Sequence, residues 1–322
     1  MTGVGNRLRH ELSEASGRGI SSEHLGAVVS REIASVVAHE ALRLEGTNPT
    51  LGSGPGAFEF WHGYEADLVR AGGDHRSDQD TQRLFGDHGV GCELRLTLRD
   101  GRGVWGTLRL LRARGVKPFE ADDARRIADL GPSLIAALRG YVTAGPLAPT
   151  VPLLPPGVMI VGPDHKVRSV TPQARSWHRL LAQGHNLPDW ASAAFVAELS
   201  VVTRAHARDP RARPPVVYGP AASYGRWVAM HGQPLDSSAT GDVAVLVQAA
   251  TGALLLPAFC DWYGITTRER QVVAELYDGA APKQIARRLD LSVHTVNDHL
   301  KAVFHRTGAG GRDELVAALG QG

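Results

Sequence analysis

The chain has 322 residues, and its 35 lysines and arginines against 33 aspartates and glutamates give a formal net charge of +2. Apolar residues make up 43% and charged residues 21% of the sequence, which is typical of globular proteins and excludes an intrinsically disordered chain. The near-neutral balance excludes a polybasic coat for nucleic acid, and the two distant cysteines, Cys92 and Cys260, exclude a disulfide framework.

Proline-rich stretches divide the sequence into three blocks. Five prolines between residues 143 and 156 predict a semi-rigid linker, and Pro257 marks a second boundary. We therefore expect domains at 21–142, 157–252 and 257–322. Because no apolar stretch is long enough to span a bilayer and the N-terminus has no apolar core of signal-peptide length, we expect a cytoplasmic protein without membrane contact.

In the first block, apolar side chains recur at helical spacing over residues 22–42 and 121–139, which predicts two amphipathic helices. Gly131–Pro132 predicts an interruption of the second helix. Between the helices, the runs 93–98 and 104–111 flank a turn and predict a β-hairpin. Both helices carry wide apolar stripes, so we expect them to supply most of a dimer interface.

The second block begins with a strand from Gly157, a turn and a second strand, followed by a helix that starts at Pro172. Two further strands are predicted within residues 225–235 and 241–250. Alternation of strands and helices in both blocks indicates α+β folds.

Two stretches carry resemblances to sensor modules. GRGVWGTLRLLRARGVKPFEADDARRIADLGPSLIAALR in the first block resembles a GAF domain, and the second block, which opens GVMIVGPDHKVRSVTPQARSWHRLL, is similar to a PAS domain. The resemblances imply a small-molecule ligand, with a purely structural role as the alternative. The second block lacks the cysteine motif of flavin photosensors and a distinctive haem-ligating histidine, so we expect no cofactor.

The sequence shows no residue arrangement typical of an enzyme or a metal site. There is no Gly-rich phosphate loop between a strand and a helix, and no Gly-x-Ser-x-Gly nucleophile motif. Histidines of the first block lack metal-ligand spacing and are interpreted as surface residues; they are His39, His62, His75 and His88. We expect neither catalysis nor a bound metal.

The third block carries helix start and stop signals at close spacing. Thr266 with Glu269 three residues later indicates a capping box, and Pro282 suits the start of a second helix. Ser292 is expected to cap a third helix that ends at Gly308, and a fourth short helix follows over RDELVAALG. Two helices joined by a tight turn indicate a helix-turn-helix unit.

The third helix has two distinct faces. At 100° per residue, Val296, Leu300 and Val303 share one face and are expected to be buried. The opposite face is polar and consists of His294, Asn297, Asp298, Lys301 and His305. Asn and Lys can read base edges or phosphates, and Asp can accept from a cytosine amino group. The alternative is a solvated face in a helical bundle, since eight basic and eight acidic residues balance from Pro257 onward.

The motifs ITTRERQVV, PKQIARRLDLS and HTVNDHLKAVFHRTG, with the arginine of GRDEL, resemble the C-terminal DNA-binding domain of LuxR-type transcription regulators over residues 265–315. The resemblance implies that the third helix enters the major groove and that the fourth contributes to a dimer. It places Asn297, Asp298 and Lys301 at base-facing positions. It places Lys283, Thr295 and His299 where backbone contacts or helix support are expected.

Together these features predict a multidomain protein with an α+β GAF-like sandwich, an α+β PAS-like domain and an all-α four-helix LuxR-type helix-turn-helix domain. We expect a homodimeric transcription regulator that binds an inverted-repeat operator in double-stranded DNA, with RNA polymerase as a further candidate partner. The alternative is a sensor or scaffold that acts through protein contacts without reading DNA. In the fourth helix, Leu315, Val316 and Leu319 form a self-complementary patch too small for tight dimerisation.

Overall fold

The computed structural model describes residues 7–8, 10–12, 22–51, 55–63, 90–113, 115–182, 189–236 and 240–320. Two antiparallel sheets, each flanked by helices, precede a C-terminal group of helices. No helix in these residues is long and apolar enough to cross a membrane.

The first sheet has four strands in the order β2-β1-β4-β3. They are β1 (Ala41–Gly46), β2 (Phe58–His62), β3 (Val90–Asp100) and β4 (Gly103–Ala113). β3 and β4 form the predicted hairpin, whose register pairs Leu94 with Leu110 and Leu96 with Leu108. Because side chains alternate across a strand, this register places the four leucines on one face of the sheet.

Among the described residues of this first part of the chain, three α-helices contact the sheet. They are α1 (Ser22–Ala34), α2 (Ala121–Asp129) and α3 (Gly131–Thr143). The interruption predicted at Gly131–Pro132 is confirmed, since α2 ends at Asp129 and α3 begins at Gly131 with Pro132 in its first turn.

The helix predicted over 22–42 ends earlier than expected, at Ala34. The residues Ala41–Gly46 form β1 instead, and β1 pairs on both sides, with β2 and with β4. Two ladders of backbone hydrogen bonds and the burial of a central strand outweigh the helical spacing of the apolar residues. The prediction was therefore right for the first turns and wrong for the last.

The apolar stripes of these helices are buried within the chain itself. Leu25, Val29 and Ile33 of α1 are at most 2% exposed, and Leu134 and Leu138 of α3 are fully buried. The stripes pack into the protein's own core, so the prediction that they supply most of a dimer interface is wrong.

The second sheet has five antiparallel strands in the order β6-β5-β9-β8-β7. They are β5 (Gly157–Val161), β6 (Val167–Val170), β7 (Val216–Gly219), β8 (Val228–Pro234) and β9 (Val243–Ala249). Its helices are α4 (Pro172–Ala182), α5 (Asp189–Arg208) and α6 (Ala221–Tyr224). The four strands predicted here and the helix start at Pro172 are confirmed.

The boundary expected at Pro257 lies inside a helix, α7 (Gly252–Trp262). Its last residue, Trp262, is fully buried and packs edge-on against Trp105 of the first sheet, with ring centroids 5.2 Å apart. The neighbouring Asp261 accepts hydrogen bonds from Thr50 at 2.6 Å and from Arg270 at 2.7 Å. α7 therefore joins the first sheet to the C-terminal helices.

Candidate nucleic-acid interface

Four helices follow α7. They are α8 (Thr267–Tyr277), α9 (Pro282–Arg288), α10 (Val293–Thr307) and α11 (Arg312–Gly320). Their ends follow the predicted signals: Thr266 caps α8, Ser292 caps α10, and α10 stops at Gly308 with φ of 77°. Glycine adopts this left-handed conformation without the steric cost that other residues meet.

A buried carboxylate holds the start of α8. The backbone N–H of Thr266 donates to Oε2 of Glu269 at 2.8 Å, and the backbone N–H of Glu269 donates to Oγ1 of Thr266 at 3.4 Å. Arg306, near the end of α10, donates to the same Oε2. Burial alone would raise the pKa of Glu269, but the hydrogen bonds from Thr266 and Arg306 outweigh it and lower the pKa. One ion pair thus ties α8 to α10.

The turn between α9 and α10 is tight and well bonded. Asp290 adopts φ of 52°, a left-handed conformation that Asp tolerates better than most residues. The N–H of Leu291 donates to the carbonyl oxygen of Ala286 at 2.8 Å. Arg268 of α8 donates to the carbonyl oxygen of Leu289 at 2.5 Å. These bonds hold α9 and α10 in the helix-turn-helix arrangement that the sequence predicts.

The structure confirms the predicted rotation of α10. Val296 and Val303 are fully buried and Leu300 is 6% exposed, and they pack toward α8 and α9. The opposite face is exposed and carries His294, Asn297, Asp298, Lys301 and His305. Asn297, Asp298 and Lys301 therefore lie together on a solvent-facing surface in the first two and a half turns of the helix.

The other three predicted site residues lie beside this surface. Lys283 is exposed in the first turn of α9. Thr295 is half-buried, and both its backbone N–H and its hydroxyl bond to the Ser292 hydroxyl, at 3.0 and 2.8 Å. His299 is half-buried. Thr295 thus supports the helix start, in line with a role in positioning rather than in base contact.

Sequence reasoning missed Val293, the first residue of α10, which is 38% exposed. It lies four residues before Asn297 and therefore on the same helix face. The signal in the sequence is the spacing of four residues between Val293 and Asn297, but the predicted site consists of polar residues only. In the major groove, an exposed aliphatic side chain can contact a thymine methyl group.

The charged residues from Pro257 onward differ in whether they form ion pairs. Three acidic residues are engaged by cations within the protein: Asp261 by Arg270, Glu275 by Arg288, and Glu269 by Arg306. In the described part of the chain, no ion pair forms at Lys283 or at Arg287, and both side chains are exposed. Lys283 and Arg287, one turn apart on α9, are therefore two exposed cations without an ion-pair partner among the described residues.

A metal site would require a group of ligands, and nucleophilic catalysis an activated nucleophile, among the other titratable residues in the described part of the chain. Within the described ranges, no three His, Cys, Asp or Glu residues are grouped as metal ligands. Burial raises the pKa of the Cys260 thiol to about 12, so it is not activated as a nucleophile.

The interpretation of the first-block histidines as surface residues is only partly right. His62 is exposed, but His39 is half-buried and bonds to Ser30 and to the carbonyl oxygen of Val37, each at 2.9 Å. His75 and His88 lie outside the described residues.

The self-complementary patch expected on the fourth helix is not available as a surface. Leu315 is fully buried and Leu319 is 1% exposed, because α11 packs against α7 and α8. Val316 alone of the three is partly exposed. The leucines of α11 therefore stabilise the helical group instead of forming a dimer contact.

Comparison with known proteins assigns this group of helices. Residues 264–319 match the family model GerE, described as bacterial regulatory proteins, luxR family. The monoamine regulon transcriptional regulator of Klebsiella aerogenes is 43% identical over 53 residues, which cover 16% of this chain and 23% of that relative. The match thus spans less than a quarter of the relative's length.

Among solved structures, the crystal structure of the phage VqmA-DPO complex covers 51% of this chain and 81% of its own, with 18% identity and a TM-score of 0.21. This score is too low to indicate a shared fold. The matched family model, with the capped helices and the tight turn, leads to one assignment: residues 264–319 are a LuxR-family helix-turn-helix domain.

Proposed function

We propose that the protein is a transcription regulator that binds operator DNA through α10. The observation that carries the proposal is the division of α10 into two faces within a LuxR-family domain. Val296, Leu300 and Val303 are buried, which leaves Asn297, Asp298 and Lys301 pointing away from the domain. A helix of this kind fits the major groove of B-DNA, where its first turns reach the base edges.

Each site residue has a proposed role. Asn297, Asp298 and Lys301 contact base edges, with Lys301 also within reach of phosphate. Lys283, in the first turn of α9, contacts the DNA backbone. Thr295 and His299 support the helix or contact the backbone. The exposure of Lys283 and the bonds of Thr295 to Ser292 support this division.

We further propose that the two sheets belong to sensor domains, GAF-like at 21–142 and PAS-like at 157–252, joined by the proline-rich segment 143–156. Antiparallel sheets flanked by helices support this assignment. The protein would act as a homodimer in the cytoplasm, on an inverted-repeat operator, with RNA polymerase as a partner. Two DNA-binding domains tethered in one dimer bind the two operator half-sites more tightly than a single domain binds one half-site.

A small-molecule ligand for the sensor domains is part of the proposal. The second block contains a cavity of about 270 Å³ whose lining includes His165, Arg204 and Arg208. Four of the seven lining residues are polar, namely His165, Arg204, Arg208 and Thr240, and the other three are Pro163, Val201 and Ala205. An anionic group on the ligand would pair with Arg208, since the Arg204 guanidinium already donates to the carbonyl oxygens of Gly162 and Gly241 at 2.7 and 3.0 Å.

The experiment that tests DNA binding is operator selection with the full-length protein. A pool of random double-stranded DNA is incubated with the protein at one fixed salt concentration, because salt alone changes such affinities by orders of magnitude. Bound DNA is amplified through several rounds and sequenced. Enrichment of one sequence, arranged as an inverted repeat, is the expected result. A final pool without any enriched sequence would contradict the proposal.

A second candidate function is a sensor or scaffold that acts through protein contacts and does not read DNA. The equal numbers of acidic and basic residues from Pro257 onward favour it. The two candidates differ in salt dependence. If Lys283 contacts a phosphate, Lys283→Ala should lower the slope of log DNA affinity against log salt concentration by about 1. A scaffold that does not read DNA would show no such affinity in either form.

A further inference from the structure

The exposed face of α10 carries an acidic residue, Asp298, at its centre. This is unexpected for a surface that meets DNA, because phosphates create a negative potential in and around the groove. A carboxylate there needs compensation by neighbouring groups. The following inference rests on the proposed function, since it concerns how the same surface chooses a base.

Each oxygen of Asp298 lies at ion-pair distance from a nitrogen atom of another side chain on the same helix. Nε2 of His294 lies 3.3 Å from Oδ2, and Nζ of Lys301 lies 3.9 Å from Oδ1. The two partners are one turn before and one turn after Asp298. Their side chains are 86% and 78% exposed, against 53% for Asp298. The carboxylate is therefore flanked on both sides along the helix axis while its outer edge stays open to solvent.

We propose that Asp298 selects a cytosine in the operator, and that His294 and Lys301 act as positioning residues for its carboxylate. The Lys301 ammonium, in addition to its own base contact, offsets the carboxylate charge. An ionised carboxylate can only accept hydrogen bonds, and its two oxygens together offer about four acceptor sites. Sites therefore remain for a base when His294 and Lys301 lie beside it. In the major groove, amino donors are present on cytosine N4 and adenine N6, but adenine places the N7 acceptor next to its donor. A carboxylate repels that acceptor, so cytosine is the base that fits.

The positions of His294 and Lys301 beside Asp298 explain why an acidic residue on this surface is compatible with DNA binding. Exposed ion pairs contribute little to stability in water, so His294 and Lys301 are not needed for folding of α10. Their effect appears when the surface is desolvated against DNA, where an uncompensated carboxylate costs much more. Loss of either partner should therefore reduce discrimination for cytosine more than it changes the melting temperature.

The test uses the full-length protein and the operator enriched by selection. Selection is repeated with Asp298→Asn, whose amide is close in shape but adds two donors. Asparagine pairs with adenine N6 and N7, so one position of the enriched operator should change from cytosine to adenine. In titrations, replacing that C·G pair by A·T should weaken wild-type binding about tenfold or more and should weaken the Asp298→Asn variant far less.

The positioning residues are tested by the ratio of affinities for the C·G and A·T operators. His294→Gln and Lys301→Gln should each lower this ratio several-fold. His305→Gln, which removes an exposed histidine from the last turn of the same helix, is the matched control and should leave the ratio unchanged.

The outcomes separate this inference from the proposed function. If wild-type protein enriches no sequence, the proposed function fails, and the inference fails with it. If a sequence is enriched but Asp298→Asn selects the same bases as wild type, the inference alone is overturned. An unchanged affinity ratio in both the His294→Gln and the Lys301→Gln variants would overturn the positioning role.

Discussion

Arg306, near the end of α10, donates a hydrogen bond to the carboxylate of Glu269, which also completes the capping box at the start of α8. The Glu269 side chain is 6% exposed and the Arg306 side chain 35% exposed. α10 is thus fixed to α8, the first helix of its domain, by a contact outside the surface proposed to meet DNA. This separation allows stability and DNA recognition to be changed independently.

Replacing Arg306 with Met should destabilise the helical domain by about 1–3 kcal/mol, because the buried Glu269 carboxylate loses a charged donor. Thermal unfolding of the full-length protein, followed by circular dichroism, measures the change. Arg287→Met is the matched control, since Arg287 is exposed and forms no ion pair in the described part of the chain. Equal melting of the two variants would show that the Arg306 contact contributes nothing.

The Glu269 contact also makes stability depend on pH. Its pKa is lowered in the folded protein from the usual value of 4.5, so the ionised form is favoured by folding. The stabilisation is fully present above pH 4.5 and is lost as the pH falls through the lowered pKa of the folded state. We expect the difference in free energy of unfolding between wild type and Glu269→Gln to be constant at neutral pH and to shrink below about pH 4.5. Denaturant titrations at a series of pH values measure it.

A charge on the buried face of α10 should unfold the domain. Val296 is fully buried, and Val296→Asp would place an unpaired carboxylate among apolar side chains at a cost of several kcal/mol. Asn297→Asp introduces the same charge one residue later on the exposed face and should leave melting nearly unchanged. Wild-type melting of Val296→Asp, measured by calorimetry on the full chain, would mean that α10 is rotated from the orientation described.

Local signals explain why the helical domain was predictable from sequence. Thr266, Ser292 and Gly308 act through bonds within one or two turns, and their effect on helix ends is independent of the rest of the fold. The rotation of α10 followed from Val296, Leu300 and Val303 by helical periodicity alone. These interactions need no knowledge of distant partners.

Features that depend on distant partners were not predictable in the same way. The helix predicted over 22–42 ends at Ala34 because Ala41–Gly46 pairs with two strands far along the chain. Pro257 predicts a boundary, but α7 continues through it. The packing of the buried Trp262 against Trp105 stabilises the helix at this position. A kink-prone residue is tolerated when tertiary packing stabilises the helix around it.

Asn297→Ala should change base preference, whereas Lys283→Ala should weaken binding to all sequences. Loss of an asparagine that reads a base edge costs about 1–3 kcal/mol at one operator position. Loss of a phosphate contact has a similar effect on every sequence. Repeating the selection with both variants at one salt concentration separates the two roles. Identical base preference in wild type and Asn297→Ala would exclude a base contact by that residue.

The contact of Asp261 with Thr50 and Arg270 predicts coupled unfolding of the first sheet and the helix-turn-helix domain. Asp261 is 7% exposed, and its two oxygens accept from residues of different parts of the chain. Asp261→Ala removes the carboxylate acceptor of Arg270 and one of two acceptors of Thr50, whose hydroxyl also donates to Oδ1 of Asn48 at 3.0 Å. It should destabilise the junction by about 2–3 kcal/mol. Thr50→Val removes only one neutral donor and should cost less.

Scanning calorimetry on the full-length variants distinguishes coupling from local damage. If α7 couples the stability of the first sheet to that of the helices, Asp261→Ala should weaken this coupling. The helix-turn-helix domain and the sheets should then melt in two separate transitions, because cooperativity across the junction is lost. Thr50→Val should broaden the transition without splitting it. A single transition of unchanged width in Asp261→Ala, merely shifted in temperature, would show that the two parts remain joined by other contacts, such as the packing of Trp262 against Trp105 and Phe58.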